Sequence, residues 1–94
     1  MSKTIEERFE IAVEEIKNLP HKPEQHELLQ LYGLYKRATV GVCNINKPWG
    51  FQIESSLKWN AWNNVSQLTK NQAMTTYIKV VNKLFKINNI YKNI

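Results

Sequence analysis

Apolar residues recur at helical spacing in four segments of this chain, whereas the alternation typical of β-strands is weak throughout. The four predicted helices span about residues 4–19, 23–40, 55–66 and 69–87. Residues 88–94 form a tail that we expect to be frayed. A chain of 94 residues is long enough for one thin hydrophobic core and too short for several. The pattern therefore predicts a single all-α domain over residues 1–94, built as a bundle of four helices.

Capping signals mark the starts of the predicted helices. Two capping boxes occur at Thr4–Glu7 and Thr69–Gln72. In such a box, the side chains of a threonine and of a residue three positions later each accept a hydrogen bond from the other's backbone amide. Pro23 fits the first turn of the second helix, where its missing N–H would have no helical partner. Ser55 or Ser56 is the predicted cap of the third helix.

Residues 41–54 break every periodic pattern and predict a long loop between the second and third helices. Loops of this length are usually functional or folded over the body of a domain. Three large apolar residues, Trp49, Phe51 and Ile53, lie in it. They either pack onto the bundle or form a docking patch for a protein partner. We favour packing, because large exposed apolar patches are uncommon.

Charge is divided unequally along the chain. Residues 1–27 hold seven of the eight acidic residues against four basic ones, while residues 28–94 hold nine basic residues and a single acid, Glu54. A surface of this kind attracts anions. A basic helical module that binds nucleic acid is one interpretation, although the basic residues are spread singly and no nucleic-acid motif is present.

Catalytic and metal-binding patterns are sparse. The chain has no aspartate, which excludes a Ser-His-Asp triad. His21 and His26 are five residues apart, a poor spacing for sharing a metal ion on one helix. Cys43 is the only cysteine, so it forms no disulfide within the chain, and no local motif gives it a base. We expect no enzyme activity, no metal site and no cofactor.

Signals for export or membrane insertion are not evident. The first residues lack the apolar core of a signal peptide, and no run of 18 apolar residues occurs. A lone cysteine suits a reducing compartment. We therefore expect a cytoplasmic protein.

Tyr32, Tyr35 and Lys36 are spaced to share one face of the second predicted helix. A tyrosine ring can stack on a base while its hydroxyl donates to phosphate, and lysine adds a positive charge. Lys58 and Tyr77 repeat this chemistry on later helices. From spacing alone, tyrosines in the core and solvated lysines are the favoured interpretation.

A longer motif favours a binding role for these tyrosines and lysines instead. Tyr32–Gly41 reads Tyr-Gly-Leu-Tyr-Lys-Arg-Ala-Thr-Val-Gly, and it is followed by Asn44, Pro48 and the Lys-Trp-Asn-Ala-Trp of Lys58–Trp62. This run resembles the acyl-CoA-binding protein family, and the resemblance extends from Phe9 to about Ile87. It implies an up-down-down-up four-helix bundle with a long loop between helices 2 and 3, in which helices 1 and 4 pack tightly together.

The resemblance also implies a function, namely non-catalytic binding, buffering and transport of long-chain fatty acyl-CoA. It implies that Tyr32 and Lys36 contact the 3′-phosphate and that Tyr35 stacks on adenine. The remaining implied contacts are phosphate for Lys58, the nucleotide or pantetheine for Tyr77, a further basic contact for Lys17, and the acyl groove for Leu28, Leu29 and Leu57. We expect a monomer that does not bind nucleic acid and contacts membranes only transiently, without stable insertion.

Three positions depart from the family pattern. Val42 stands where aspartate is usual, Trp49-Gly50 replaces the usual glycine-hydrophobic order, and Glu54 stands where many members have lysine. An acid close to the phosphates would weaken binding or redirect the headgroup, so Glu54 is the one acidic residue that bears on the expected site.

Overall fold

The structure, a computed structural model, describes residues 2–92 and 94; Met1 and Asn93 lie outside the described residues. Its four α-helices are α1 (Ile5–Glu15), α2 (Gln25–Thr39), α3 (Ile53–Asn63) and α4 (Lys70–Ile87), with a 3₁₀ turn at Ile16–Asn18 extending α1. No strand occurs among the described residues. The predicted all-α four-helix bundle is confirmed.

Both predicted capping boxes are present. The Thr4 hydroxyl accepts from the Glu7 amide at 3.1 Å, and the Glu7 carboxylate accepts from the Thr4 amide at 3.0 Å. Thr69 and Gln72 exchange the equivalent bonds at 3.0 and 2.9 Å. Each box satisfies two amides that have no partner within the helix, which fixes the starts of α1 and α4.

The start of α2 differs from the prediction. The helix begins at Gln25, and Glu24 occupies the N-cap position, where its amide donates to the Glu27 carboxylate at 2.8 Å. Pro23 lies before the cap and not in the first turn. The negative charge of Glu27 near the helix N-terminus also interacts favourably with the positive end of the helix dipole, which favours this start.

The bounds of α3 also differ. The helix begins at Ile53, so neither Ser55 nor Ser56 is its cap; the Ser56 amide instead donates to the Gln52 carbonyl at 2.9 Å, inside the first turn. The helix ends at Asn63 and not at residue 66. The residues that follow form turns closed by hydrogen bonds between residues three apart, such as the bond from the Ser66 amide to the Asn63 carbonyl at 3.2 Å.

The core is built around α4, which packs against both α1 and α2, while α3 packs against α2. Phe9 on α1 meets Tyr77 on α4 edge to face, with ring centroids 5.1 Å apart. This arrangement agrees with the predicted contact between the first and fourth helices. The fully or nearly buried apolar residues include Ala12, Leu31, Leu34, Ala73, Ile78, Val81, Leu84 and Phe85.

The connection between α2 and α3 is attached to α3 by two tryptophans. The Trp62 indole donates to the Gly41 carbonyl at 2.8 Å, and the Trp59 indole donates to the Ile45 carbonyl at 2.9 Å. The apolar residues farther along do not pack onto the bundle, since Trp49 is 76% exposed and Phe51 83% exposed. The favoured expectation that they cover the bundle is therefore wrong.

The tail folds back on the bundle, so the expectation of a frayed tail is wrong for its described residues. The Ile94 carbonyl accepts from Arg8 Nε at 2.7 Å, and Lys92 lies 3.3 Å from the Glu15 carboxylate. Ile90 packs against the core. The tail packs against the bundle because its apolar residues contact the core and its Lys92 pairs with a carboxylate of the acidic helix α1.

Candidate ligand-binding site

A groove of about 390 Å³ lies between α2 and α3. Its apolar lining comes from Leu28 and Leu29 on α2 and from Ile53 and Leu57 on α3. Polar groups complete it: Gln25, Tyr32, Glu54 and Lys58. Its volume lies within the roughly 300–1,000 Å³ typical of small-molecule sites, and it combines apolar walls with few polar groups as such sites do. We call it the α2/α3 groove.

Tyr32 and Lys58 meet in this groove. The Lys58 ammonium lies 5.7 Å from the centroid of the Tyr32 ring, close enough for a cation–π contact. The same ammonium lies 3.4 Å from the Glu54 carboxylate, one helical turn earlier on α3. The Tyr32 hydroxyl and the Lys58 ammonium can both donate to an anion in this groove, and Glu54 competes for the ammonium.

Lys36 lies one turn beyond Tyr32 on α2 and also faces α3. Its ammonium lies 4.8 Å from the centroid of the Trp62 ring. Trp62 is 2% exposed and is held by its bond to the Gly41 carbonyl, so it is a fixed platform for the lysine. Positive charge is therefore present along the α3-facing side of α2.

Tyr35 faces a second cleft, of about 560 Å³, between α1, α2 and α4. We call it the α1/α2/α4 cleft. The Tyr35 ring stacks on Phe9, with centroids 6.1 Å apart and planes 25° apart, and the side chain stays accessible to solvent. Other lining residues are Glu6, Glu10, Val13, Glu14, Ala38, Thr39, Lys70 and Met74. An exposed aromatic ring backed by a second ring is a platform for a flat ligand group.

Tyr77 lies behind Phe9 and is buried, with 4% of its surface exposed. Burial of the phenol, with a smaller contribution from Tyr35, raises the pKa of Tyr77 to about 12. The hydroxyl therefore stays protonated at neutral pH. In this structure Tyr77 supports the aromatic platform from inside the core.

Lys17 is set apart from these groups. It lies on the 3₁₀ turn after α1, and its ammonium lies 3.3 Å from the Glu14 carboxylate. It is not among the residues that line either cleft. The structure thus joins Tyr32 and Lys58 with the three predicted groove leucines, places Lys36 and Tyr35 on adjoining sides of α2, and leaves Lys17 outside.

Sequence reasoning did not select Gln25 and Ile53 as site residues. Both could have been found from spacing. Gln25 precedes Leu28, Leu29 and Tyr32 by three, four and seven residues, which is the repeat of one helical stripe. Ile53 and Glu54 precede Leu57 and Lys58 by four residues each. The early start of α3 concealed this second stripe, because both residues were assigned to the loop.

The described residues contain neither a cluster of metal-binding side chains nor a helix suited to span a membrane. Residues 2–92 and 94 contain no group of three or more histidine, cysteine or acidic side chains able to hold a metal ion. Within the same residues, no helix has the length and apolarity needed to cross a bilayer.

Comparison with known sequences gives a consistent result. A model of the family described as "Acyl CoA binding protein" matches residues 6–81. The chain is 43% identical over 76 residues to an acyl-CoA-binding protein of Dictyostelium discoideum, covering 81% of this chain and 90% of that one. It is also 43% identical over 82 residues to an acyl-CoA-binding protein of Gossypium hirsutum, covering 87% and 92% of the two chains.

Solved structures agree with the sequences. The fold is similar to that of acyl-CoA-binding protein 2 of Oryza sativa, with a TM-score of 0.86 and 37% identity, covering 92% of this chain and 96% of that one. It is also similar to an acyl-CoA-binding protein of Moniliophthora perniciosa, with a TM-score of 0.83 and 33% identity over 92% and 85% of the two chains.

Proposed function

Because the chain belongs to the acyl-CoA-binding protein family, we propose that it binds long-chain fatty acyl-CoA and buffers and carries it in the cytoplasm without changing it chemically. The observation that carries this proposal is the α2/α3 groove, where leucines from two helices lie beside Tyr32 and Lys58. Such a groove suits a ligand with a long apolar chain and an anionic headgroup.

The headgroup is assigned to the polar side chains around α2. Tyr32 and Lys36 contact the 3′-phosphate, Lys58 contacts a phosphate, and Tyr35 stacks on the adenine. Tyr77 is the proposed contact for the nucleotide or pantetheine portion, and the 4% of its surface that is exposed limits this contact to a small area. Charge-assisted bonds to phosphate are among the stronger hydrogen bonds, so this donor set determines which headgroup is accepted.

The acyl chain is assigned to Leu28, Leu29 and Leu57, with Ile53 continuing the same wall. Each buried methylene contributes roughly 0.8 kcal/mol, so eight to ten methylenes contribute about 6–8 kcal/mol. Chain length therefore sets most of the affinity.

The chemistry of the groove supports a carrier role. Its one carboxylate, Glu54, is paired with Lys58, and the other polar groups suit anion binding rather than nucleophilic attack. We propose that the protein needs no cofactor and works as a monomer. Nucleic acid is not a proposed partner, because nothing in the site or among the relatives favours it. Lys17 is retained as an outer basic contact, reached when its pair with Glu14 opens.

Calorimetric titration tests the proposal. Palmitoyl-CoA is expected to bind with a dissociation constant below about 1 μM, because it uses both the groove and the donor set. Free CoA and palmitate each use one of them and bind far more weakly. Equal inertness of all three ligands would refute the function.

The headgroup assignment has its own test. Lys36→Ala and Tyr32→Phe are expected to weaken acyl-CoA binding more than binding of acyl-dephospho-CoA, which lacks the 3′-phosphate. Lys79→Ala removes an exposed lysine on α4 and is the control for net charge. Equal losses for the two ligands would contradict the 3′-phosphate assignment.

A further inference from the structure

Three large apolar side chains stand in solvent where α3 begins. Trp49, Phe51 and Ile53 are 76%, 83% and 71% exposed. We call these three residues the loop patch. Soluble proteins seldom expose several large apolar side chains close together without a binding role. The loop patch is therefore a candidate for contact with a ligand or a partner.

The helices on the two sides of the α2/α3 groove run in the same direction. The Lys58 ammonium lies 5.7 Å from the centroid of the Tyr32 ring, and the Lys36 ammonium lies 4.8 Å from that of Trp62. From the first pair to the second, residue numbers rise on both helices, as they do between parallel neighbours. The donors Tyr32 and Lys58 therefore lie toward one end of the groove, and the first turns of both helices lie at the other.

The groove is shorter than a long acyl chain. Tyr32 is seven residues after Gln25, which corresponds to about 10 Å along α2. The hydrocarbon core of a bilayer is about 30 Å thick and holds two layers of acyl chains, so one such chain reaches about 15 Å. A chain that starts beside Tyr32 and Lys58 therefore extends beyond Gln25 and Ile53, the first residues of α2 and α3.

The loop patch lies at the end of the groove that such a chain reaches. Ile53 belongs to both, because it is largely exposed and also lines the groove. The Trp49 carbonyl accepts from the Gln52 amide at 3.0 Å and from the Ser56 hydroxyl at 3.5 Å, which holds its backbone beside the first turn of α3. Phe51 lies between Trp49 and Ile53 in the chain. The patch thus continues the apolar wall of the groove.

The charges beside the loop patch do not favour a charged occupant. Glu54 follows the patch directly, and its side chain is 83% exposed and paired with Lys58. Lys47 precedes the patch, with its ammonium 5.8 Å from the centroid of the Trp59 ring. Since a carboxylate lies on one side and an ammonium on the other, neither an anionic nor a cationic surface is selected. An uncharged hydrocarbon chain fits between them.

The size of the patch argues against a second protein chain as its occupant. A stable protein–protein interface buries about 1,200–2,000 Å² from some 20–30 residues on each side. Three side chains, with aromatic residues offering roughly 150–250 Å² each, supply less than one side of such an interface. A single acyl chain, in contrast, is covered by a few large side chains.

We propose that the loop patch binds the distal part of a long acyl chain, which passes from the groove over Ile53 onto Trp49 and Phe51. This inference rests on the proposed function and adds a determinant of chain length to it. Each methylene that is buried raises affinity roughly fourfold, so long chains gain from the patch and short chains do not. Trp49 is also one of the departures from the family pattern, so this length preference is a property of this chain.

Calorimetric titration of the full chain with octanoyl-CoA and palmitoyl-CoA tests the inference. The double variant Trp49→Ser/Phe51→Ser leaves Ile53, and with it the wall of the groove, unchanged. We expect this variant to bind palmitoyl-CoA at least about tenfold more weakly than wild type and octanoyl-CoA less than about twofold more weakly. Equal losses for the two ligands, or an unchanged affinity for palmitoyl-CoA, would overturn the inference.

A matched control removes two apolar side chains of similar exposure from another place. Ile87 and Tyr91 are 61% and 86% exposed near the end of α4, so Ile87→Ser/Tyr91→Ser is expected to bind both ligands like wild type. Circular dichroism checks that both double variants are folded. Sedimentation of wild type with palmitoyl-CoA is expected to give a monomer. A dimer that Trp49→Ser/Phe51→Ser does not form would show that a second copy covers the patch and would overturn the inference.

The indole N–H signal of Trp49 in NMR spectra provides a test on the wild-type protein. The signal is identified by its absence from the spectrum of Trp49→Ser. It is expected to shift when palmitoyl-CoA binds and to stay in place when octanoyl-CoA binds. Wild type that binds neither ligand would refute the proposed function. Wild type that binds palmitoyl-CoA without a shift of this signal would refute the inference alone.

Discussion

At the scale of single residues, the carboxylate of Glu54 counteracts the positive charge of the candidate site. Its carboxylate lies 3.4 Å from the ammonium that is proposed to bind phosphate, and the pair is partly open to water, with side chains 83% and 47% exposed. A phosphate bound at Lys58 would have to replace this carboxylate. We therefore expect Glu54 to lower the affinity for the ligand without blocking the groove.

The substitution Glu54→Gln removes that competition. We expect it to tighten acyl-CoA binding by up to about fivefold, since exposed ion pairs are worth roughly 0.2–1 kcal/mol. Calorimetry at low and at physiological salt measures the change, which salt should reduce. Gln67→Lys adds the same charge in the turn after α3 and is expected to have a smaller effect. Weaker binding by Glu54→Gln would show that the carboxylate assists the ligand.

The directions of the α2 side chains show what residue spacing can predict. Tyr32 and Lys36 are four residues apart, about 40° around the helix, and both face α3. Tyr35 and Lys36 are neighbours about 100° apart, so Tyr35 turns toward Phe9 on α1. The prediction that all three point the same way is wrong for Tyr35. Spacing determines angles on one helix, but not which neighbouring helix lies at each angle.

The contact between α2 and α3 depends on one glycine, which is a constraint at the scale of elements. A Cβ at Gly33 would lie 2.7 Å from the Ala61 carbonyl carbon and closer still to its oxygen. The absence of a side chain lets α2 and α3 approach closely at this point.

Gly33→Ala is expected to push the helices apart. We expect it to lower the free energy of unfolding by up to about 2 kcal/mol, because the roughly 1–3 kcal/mol typical of overpacking is offset in part by the roughly 1 kcal/mol that alanine gains as a helix former. Urea unfolding measures the change. Gly50→Ala is the control, because a Cβ there meets nothing within 4 Å. Equal stability of the two variants would contradict this account of the helix contact.

Element boundaries were predictable where the signal was local. Thr4–Glu7 and Thr69–Gln72 contain complete capping boxes, and the helices begin there. The exposure of Trp49 and Phe51 and the return of the tail onto α1 were not predictable in this way. Both depend on contacts between segments distant in sequence, such as the bond from Arg8 to the Ile94 carbonyl.

The buried phenol of Tyr77 makes the stability of the whole molecule depend on pH. Its pKa is raised from an ordinary value of 10.0 to about 12 in the folded protein, mainly by burial. Between these pH values the unfolded chain releases the phenol proton and the folded chain keeps it. The folded state then binds more protons, so stability falls as the pH rises from 10 to 12.

The variant Tyr77→Phe isolates this contribution. Wild type is expected to lose stability relative to the variant between pH 10 and pH 12, while below pH 10 the difference between them stays constant. Urea unfolding at a series of pH values measures both proteins, and the shared titration of the lysines cancels in the comparison. A difference that does not vary with pH would show that the phenol is not the buried titrating group.

At the scale of the molecule, the proposed binding site for the ligand extends over two faces of α2. The proposed place of the acyl chain is the α2/α3 groove, and that of the adenine is the Tyr35 ring at the edge of the α1/α2/α4 cleft. The larger cleft, lined by Val13 and Met74 among others, is the competing place for an acyl chain. Volume alone favours it, whereas the leucines beside Tyr32 and Lys58 favour the groove.

An isotope-filtered NMR experiment tests this division most directly. It records nuclear Overhauser effects between the acyl methylenes of bound palmitoyl-CoA and the labelled methyl groups of the protein. We expect contacts to the methyl groups of Leu28, Leu29 and Leu57. Contacts to Val13 and Met74, with none to the three leucines, would contradict it.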